Sequence, residues 1–120
     1  MPPTPQASFA LEPVHAYADG QYRFTGVFGF ATAAAALARG THEFGHHRRV
    51  EVDLSGVTSA DSAGLAVMLA WVEFARRRGI ALRFHGLPAQ VAAIAAISDV
   101  AALLRGAEHA GAGHAGSPSA

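Results

Sequence analysis

The sequence predicts a small α/β domain: a mostly parallel sheet of about four strands with helices packed on it, in the order β-β-α-β-α-β-α-α. Three observations carry this. Short segments of period-two alternation take turns with Ala-rich helical stretches. Glycines stand where the helical stretches stop, at Gly40 and Gly79. With 120 residues, 51% of them hydrophobic, the chain fits one domain with a real core.

Residues 1–8 are Pro-rich and read as a flexible segment, and residues 106–120 are Gly, Ala, Ser, His and Pro and read as a disordered tail. The domain is expected over 9–105. Phe9 to Tyr17 reads as a weak first strand, and Asp19-Gly20 as the turn of a hairpin. Gln21 to Phe28 alternates apolar and polar residues as a second strand. Phe30 to Arg39 is Ala-rich and reads as a helix ended by Gly40, followed by a polar, His-rich loop from Thr41 to Arg49. Val50 to Leu54 is a strand closed by Ser55-Gly56. A long helix capped by Asp61 or Ser62 runs to Arg78 and stops at Gly79. Ile80 to Phe84 is a further strand, Pro88 opens a helix to Ile97, and Asp99 to Leu104 forms a last short helix.

The helix from Ser62 to Arg78 is apolar on too many sides. At about 100° per residue, Leu65, Met68, Leu69, Val72 and Ala75 form a sheet-facing arc. Val67, Ala70, Trp71 and Phe74 fall mostly on the other side. A helix apolar all round is buried all round, so the second face meets either a flanking helix of this chain or another protein. Trp and Phe each bury ~150–250 Å², enough to anchor a partner.

Composition excludes several classes. Nine basic residues, all Arg, balance nine acidic ones, which argues against a general nucleic-acid binder. With no Cys there is no thiol nucleophile and no Cys-ligated zinc site. Ala60 and Gly64 flank Ser62 where a nucleophile elbow needs two glycines, and the one His near the core elements, His85, reads as a strand-end side chain rather than a base. No catalytic residue is expected. The absence of a Gly-rich phosphate loop places any ATP of the system on a partner, so no cofactor is expected either. His42, His46 and His47 with Glu43 have partial metal-ligand spacing, but Gly45 and Arg48-Arg49 mark a solvated loop, and no metal is expected. Arg76-Arg77-Arg78 complements a helix C-terminus or, with Arg83, forms a rim for anionic groups. The longest apolar runs fall far short of the ~20 residues of a membrane span. The start Met1-Pro2-Pro3-Thr4-Pro5 is unlike a signal peptide. The expectation is a cytoplasmic domain with no direct membrane insertion.

Ser62 follows Asp61 at a helix start, where unpaired N–H groups and the dipole suit either a simple cap or a phosphate on the hydroxyl. The stretch from Val52-Asp53-Leu54 through Asp61-Ser62-Ala63-Gly64-Leu65 resembles the STAS domain family (sulfate transporter and anti-sigma factor antagonist). Thr25-Gly26, Phe30 to Ala33, Trp71, Arg83-Phe84 and Leu87 to Gln90 with Ile94-Ala95 extend the likeness toward the STAS subunit of the Mla (maintenance of lipid asymmetry) phospholipid ABC transporter. The resemblance implies the STAS fold and a non-enzymatic subunit. It binds and supports the ATP-binding subunit in a complex with a permease, peripheral to the inner membrane through its partners. Carried over, Ser62 is the central contact, with Asp61, Ala66, Val67, Ala70, Trp71 and Phe74 around it. The same signature resembles anti-sigma factor antagonists, which implies a phosphorylation switch at Ser62 as the alternative.

Overall fold

A computed structural model describes residues 8–14 and 20–97. It contains β1 (Phe9–Pro13), β2 (Gln21–Phe28), α1 (Ala33–Phe44), β3 (Arg49–Ala60), α2 (Ser62–Arg78), β4 (Ala81–His85) and α3 (Ala89–Ile97). The expected helix over Asp99–Leu104, both terminal segments and the end of the first strand lie outside the described residues.

The four strands form one sheet in the order β1-β2-β3-β4. β1 pairs antiparallel with β2, while β2–β3 and β3–β4 are parallel. This is the predicted α/β architecture. Tyr22, Phe24 and Phe28 of β2, Val50, Val52 and Leu54 of β3, and Leu82 and Phe84 of β4 are buried. The residues between them, such as Arg23, Asp53 and Arg83, are exposed or half-buried. The sheet therefore has one covered and one polar face. The two parallel connections, β2-α1-β3 and β3-α2-β4, run the same way across the sheet, so the right-handed rule for such crossovers puts α1 and α2 on one face, where they pack together.

Two elements are longer than the sequence predicts. α1 runs through Gly40 to Phe44, so Gly40 is not a helix stop and half of the expected His-rich loop is helical. A Cβ at Gly40 would overlap the indole nitrogen of Trp71. The glycine is there for close helix approach rather than for chain reversal. β3 continues to Ala60 because β2 pairs with it that far. Arg23 opposes Asp53, but Thr25 opposes Gly56, and Val27 opposes Ser59. β3 thus carries an extra residue at two places, which breaks its alternation.

α2 has the predicted limits. Asp61 is its cap, and Gly79 closes it in the left-handed conformation at φ 70°. Both α1 and α3 pack against it, making α2 the central helix of the layer. That position answers the surplus of apolar surface. Trp71 is wholly buried among Phe24, Phe28, Phe44 and Phe84, with ring centroids 5.2–6.5 Å away. Val67 is buried as well. The expectation that these two side chains face a partner is corrected: they are buried within this chain, the flanking-helix alternative that the sequence also left open.

Candidate functional site

The site is built where β2 leaves the sheet and α2 begins. Thr32, buried, stitches the β2–α1 turn: its hydroxyl donates to the Val27 carbonyl at 2.8 Å and accepts from the Gly29 N–H at 3.1 Å. Asp61 joins this turn to α2. Its Oδ2 accepts from the Phe30 N–H at 3.2 Å, and its Oδ1 from the N–H groups of Ala63 and Gly64 at 2.8 and 3.4 Å. The Phe30 N–H, and after it those of Ala63 and Gly64, hold the Asp61 carboxyl below the usual carboxylate range. A Cβ at Gly64 would run into the Phe28 carbonyl, so only glycine lets the helix start this close to the β2 end.

This clamp presents two groups to solvent. The Phe30 ring, 87% exposed, stands out from the turn. Ser62 is exposed in the first turn of α2, and its hydroxyl has no hydrogen-bond partner among the described residues. The helix-start donors expected to hold a phosphate are not free: Asp61 takes those of Ala63 and Gly64.

From this end a trough runs between α1 and α2. A depression of about 240 Å³ is lined by Ala33, Ala34 and Leu37 on one side and Ala63, Ala66 and Ala70 on the other. It continues into one of about 490 Å³ that reaches Ala38, Thr41, Phe74 and Arg77. Of the residues expected to contact a partner, Asp61, Ser62 and Ala66 are exposed, and Ala70 and Phe74 are half-buried. Ala66, Ala70 and Phe74 line the trough, and Asp61 and Ser62 directly precede its first α2 residue, Ala63; Val67 and Trp71 are buried. Phe30 is the exposed large apolar side chain that sequence reasoning did not single out as a site residue. Placed inside a helix, it had no reason to point outward; the signal was its position between Gly29 and the turn-forming Thr32.

The other candidates have local partners. Arg76 and Glu73 form a two-pronged pair at 3.0 and 2.7 Å. His85 meets Glu51 at 2.9 Å on the polar sheet face. His47 and Glu43 both bond the Tyr22 hydroxyl, at 3.0 and 3.1 Å. Among the described residues no three His, Cys, Asp or Glu side chains form a metal-binding group, and no helix is long and apolar enough to cross a membrane.

A one-sided, mostly parallel sheet whose central strand delivers an Asp-Ser pair to the start of a central helix defines the class of the anti-sigma factor antagonist fold. Among solved structures the chain matches the unphosphorylated form of the anti-sigma factor antagonist SpoIIAA with a TM-score of 0.56, over 82% of this chain and 99% of that one. At 12% identity that likeness shows the fold alone. The chain belongs to the STAS family: the family model described as "Mlab, STAS domain" matches residues 16–106. No curated protein matches it in sequence.

Proposed function

We propose that this chain is a non-catalytic STAS subunit that docks onto the ATP-binding subunit of a phospholipid (Mla-type) ABC transporter. It is then cytoplasmic and held at the inner membrane through that subunit and its permease. The family model supports the Mla branch. The carrying observation is the exposed Phe30 ring, on a turn whose backbone is tied to Asp61 next to the exposed Ser62, at the helix end where the alanine-lined trough begins with Ala33 and Ala63. A contiguous apolar patch rimmed by polar groups marks a protein interface, with a large aromatic as its anchor. Ser62 supplies a hydroxyl at the centre, free to bond a partner. The test is co-purification with the ATP-binding subunit encoded nearby. Phe30→Glu and Ser62→Arg each abolish it while the melting temperature stays at the wild-type value. Undiminished co-purification of both folded variants would count decisively against the reading.

A second reading rests on the exposed, unpartnered Ser62 hydroxyl: an anti-sigma factor antagonist released by phosphorylation. With Asp61 occupying the neighbouring donors, a phosphate here adds ~1.5–2 negative charges beside a carboxylate and opposes docking. Intact-mass measurement of the chain from growing and starved cells decides. A phosphorylated fraction in either state supports the switch, and its absence from both removes it.

A further inference from the structure

The trough between α1 and α2 has a direction. At one end it begins with Ala33 and Ala63, just after Asp61 and Ser62 and the Phe30 turn tied to Asp61; at the other a third depression of about 210 Å³ is lined by Phe74, Arg77 and Arg78. The two shared residues, Phe74 and Arg77, join it to the rest of the trough. Glu73 commits its carboxylate to Arg76 and reaches Arg77 only at 3.6 Å. Arg78 lies over the Phe74 ring at 4.9 Å and has no carboxylate partner among the described residues. Two guanidinium groups at this end are thus in excess of the local acid.

Resting on the docking reading above, we propose that the trough receives a single α-helix of the partner, with apolar or small side chains over Ala66 and Ala70 and one or two carboxylates at Arg77 and Arg78. Four features argue for this occupant. From Ala63 to Arg78 the trough follows about 15 residues of α2, which at ~1.5 Å each is roughly 22 Å, or about four helical turns. Its alanine lining lets a second helix come close without side-chain clash. The backbones of α1 and α2 are satisfied within their own helices, so an extended segment finds no ladder here, whereas a helix brings its hydrogen bonds with it. The surplus cations at one end select an acidic helix end and so set its direction.

The test places a photo-crosslinking phenylalanine at the exposed Ala34, Ala38 or Ala66 of the full chain in cells, and sequences the joined peptides. The expected result is one helical segment of another protein reached from all three positions. Its contacts from Ala34 and Ala38 lie three or four residues apart, and an Asp or Glu lies within two turns on the Arg77 side. R77E cuts the yield at least tenfold, and an Arg in place of that acid restores it. Joining to a second copy, to residues 98–120 of this chain, to lipid or to nothing overturns the proposal, as does an R77E yield equal to wild type. If such a helix is found on a protein other than an ATP-binding subunit, the occupant stands and the transporter reading falls.

Discussion

The flank of α2 that faces α1 and the ridge that faces solvent are chemically alike in sequence and opposite in fate. Val67 and Trp71 on the flank are sealed; Ala66, Ala70 and Phe74, one residue before or three after them, line an open trough. Apolar character alone does not separate them. What does is the depth at which α1 sits, and Gly40 sets that depth by giving the indole room against the α1 backbone. The indole N–H is buried there without a hydrogen-bond partner among the described residues. An unpaired N–H of this kind costs about 1–3 kcal/mol, which the four aromatic neighbours and the buried area outweigh.

The comparison breaks most visibly at its inner side. Trp71→Ala removes the largest wholly buried side chain and should cost about 3–5 kcal/mol in urea unfolding. Gly40→Val drives a branched side chain into the same ring and should lose stability on a similar scale, or more where α1 is forced away. A Trp71→Ala variant of wild-type stability would mean that the flank is not core and would restore the ring to the docking face.

At the boundary between the two sides the effects should be smaller. Thr32→Val keeps the shape but strands the Gly29 N–H and the Val27 carbonyl, for an expected loss of about 1–3 kcal/mol. Asp61→Ala removes the cap and the tie to Phe30, costing about 1 kcal/mol. Because the native state holds the Asp61 carboxyl below its ordinary value, the unfolded chain binds this proton more readily. The cap's contribution is therefore full above the unfolded value near ~4 and vanishes as pH falls through the lower native value. Wild type and Asp61→Ala should differ at pH 7 and converge in acid. A difference that persists at the acid end would assign the stabilisation to something other than the carboxylate.

Much of this was legible because the signals were local. Asp61 and Gly79 bracket α2, and the alternation of Gln21 to Phe28 marks β2 to the residue. The same local rules misread Gly40, whose reason lies 31 positions away in Trp71, and cut β3 short, since two extra residues scramble its alternation while β2 still holds it. For the site, the Asp61-Ser62 start was readable as a helix signal. The burial of Trp71 was not, because it depends on α1 lying beside α2. The exposure of Phe30 was not either, because it depends on Thr32 folding the turn back onto β2.

The outer side yields the smallest effects on stability and thereby the sharpest separation. Phe30→Ser exchanges an exposed ring for a hydroxyl in a turn whose hydrogen bonds use only backbone atoms of Gly29 and Phe30. Ala66→Arg adds a long side chain at an exposed helical position of good propensity. Each should move the unfolding free energy by no more than about 0.5 kcal/mol. A protein that only needed to fold would then be indifferent to both. If binding to the proposed partner, an ATP-binding subunit, is found in wild type and drops in both variants while the urea midpoint stays fixed, the ridge is apolar for the sake of a neighbour and the flank for the sake of the fold. If Phe30→Ser instead unfolds the chain, its ring is packed against something in solution, and the two sides of α2 are not distinct after all.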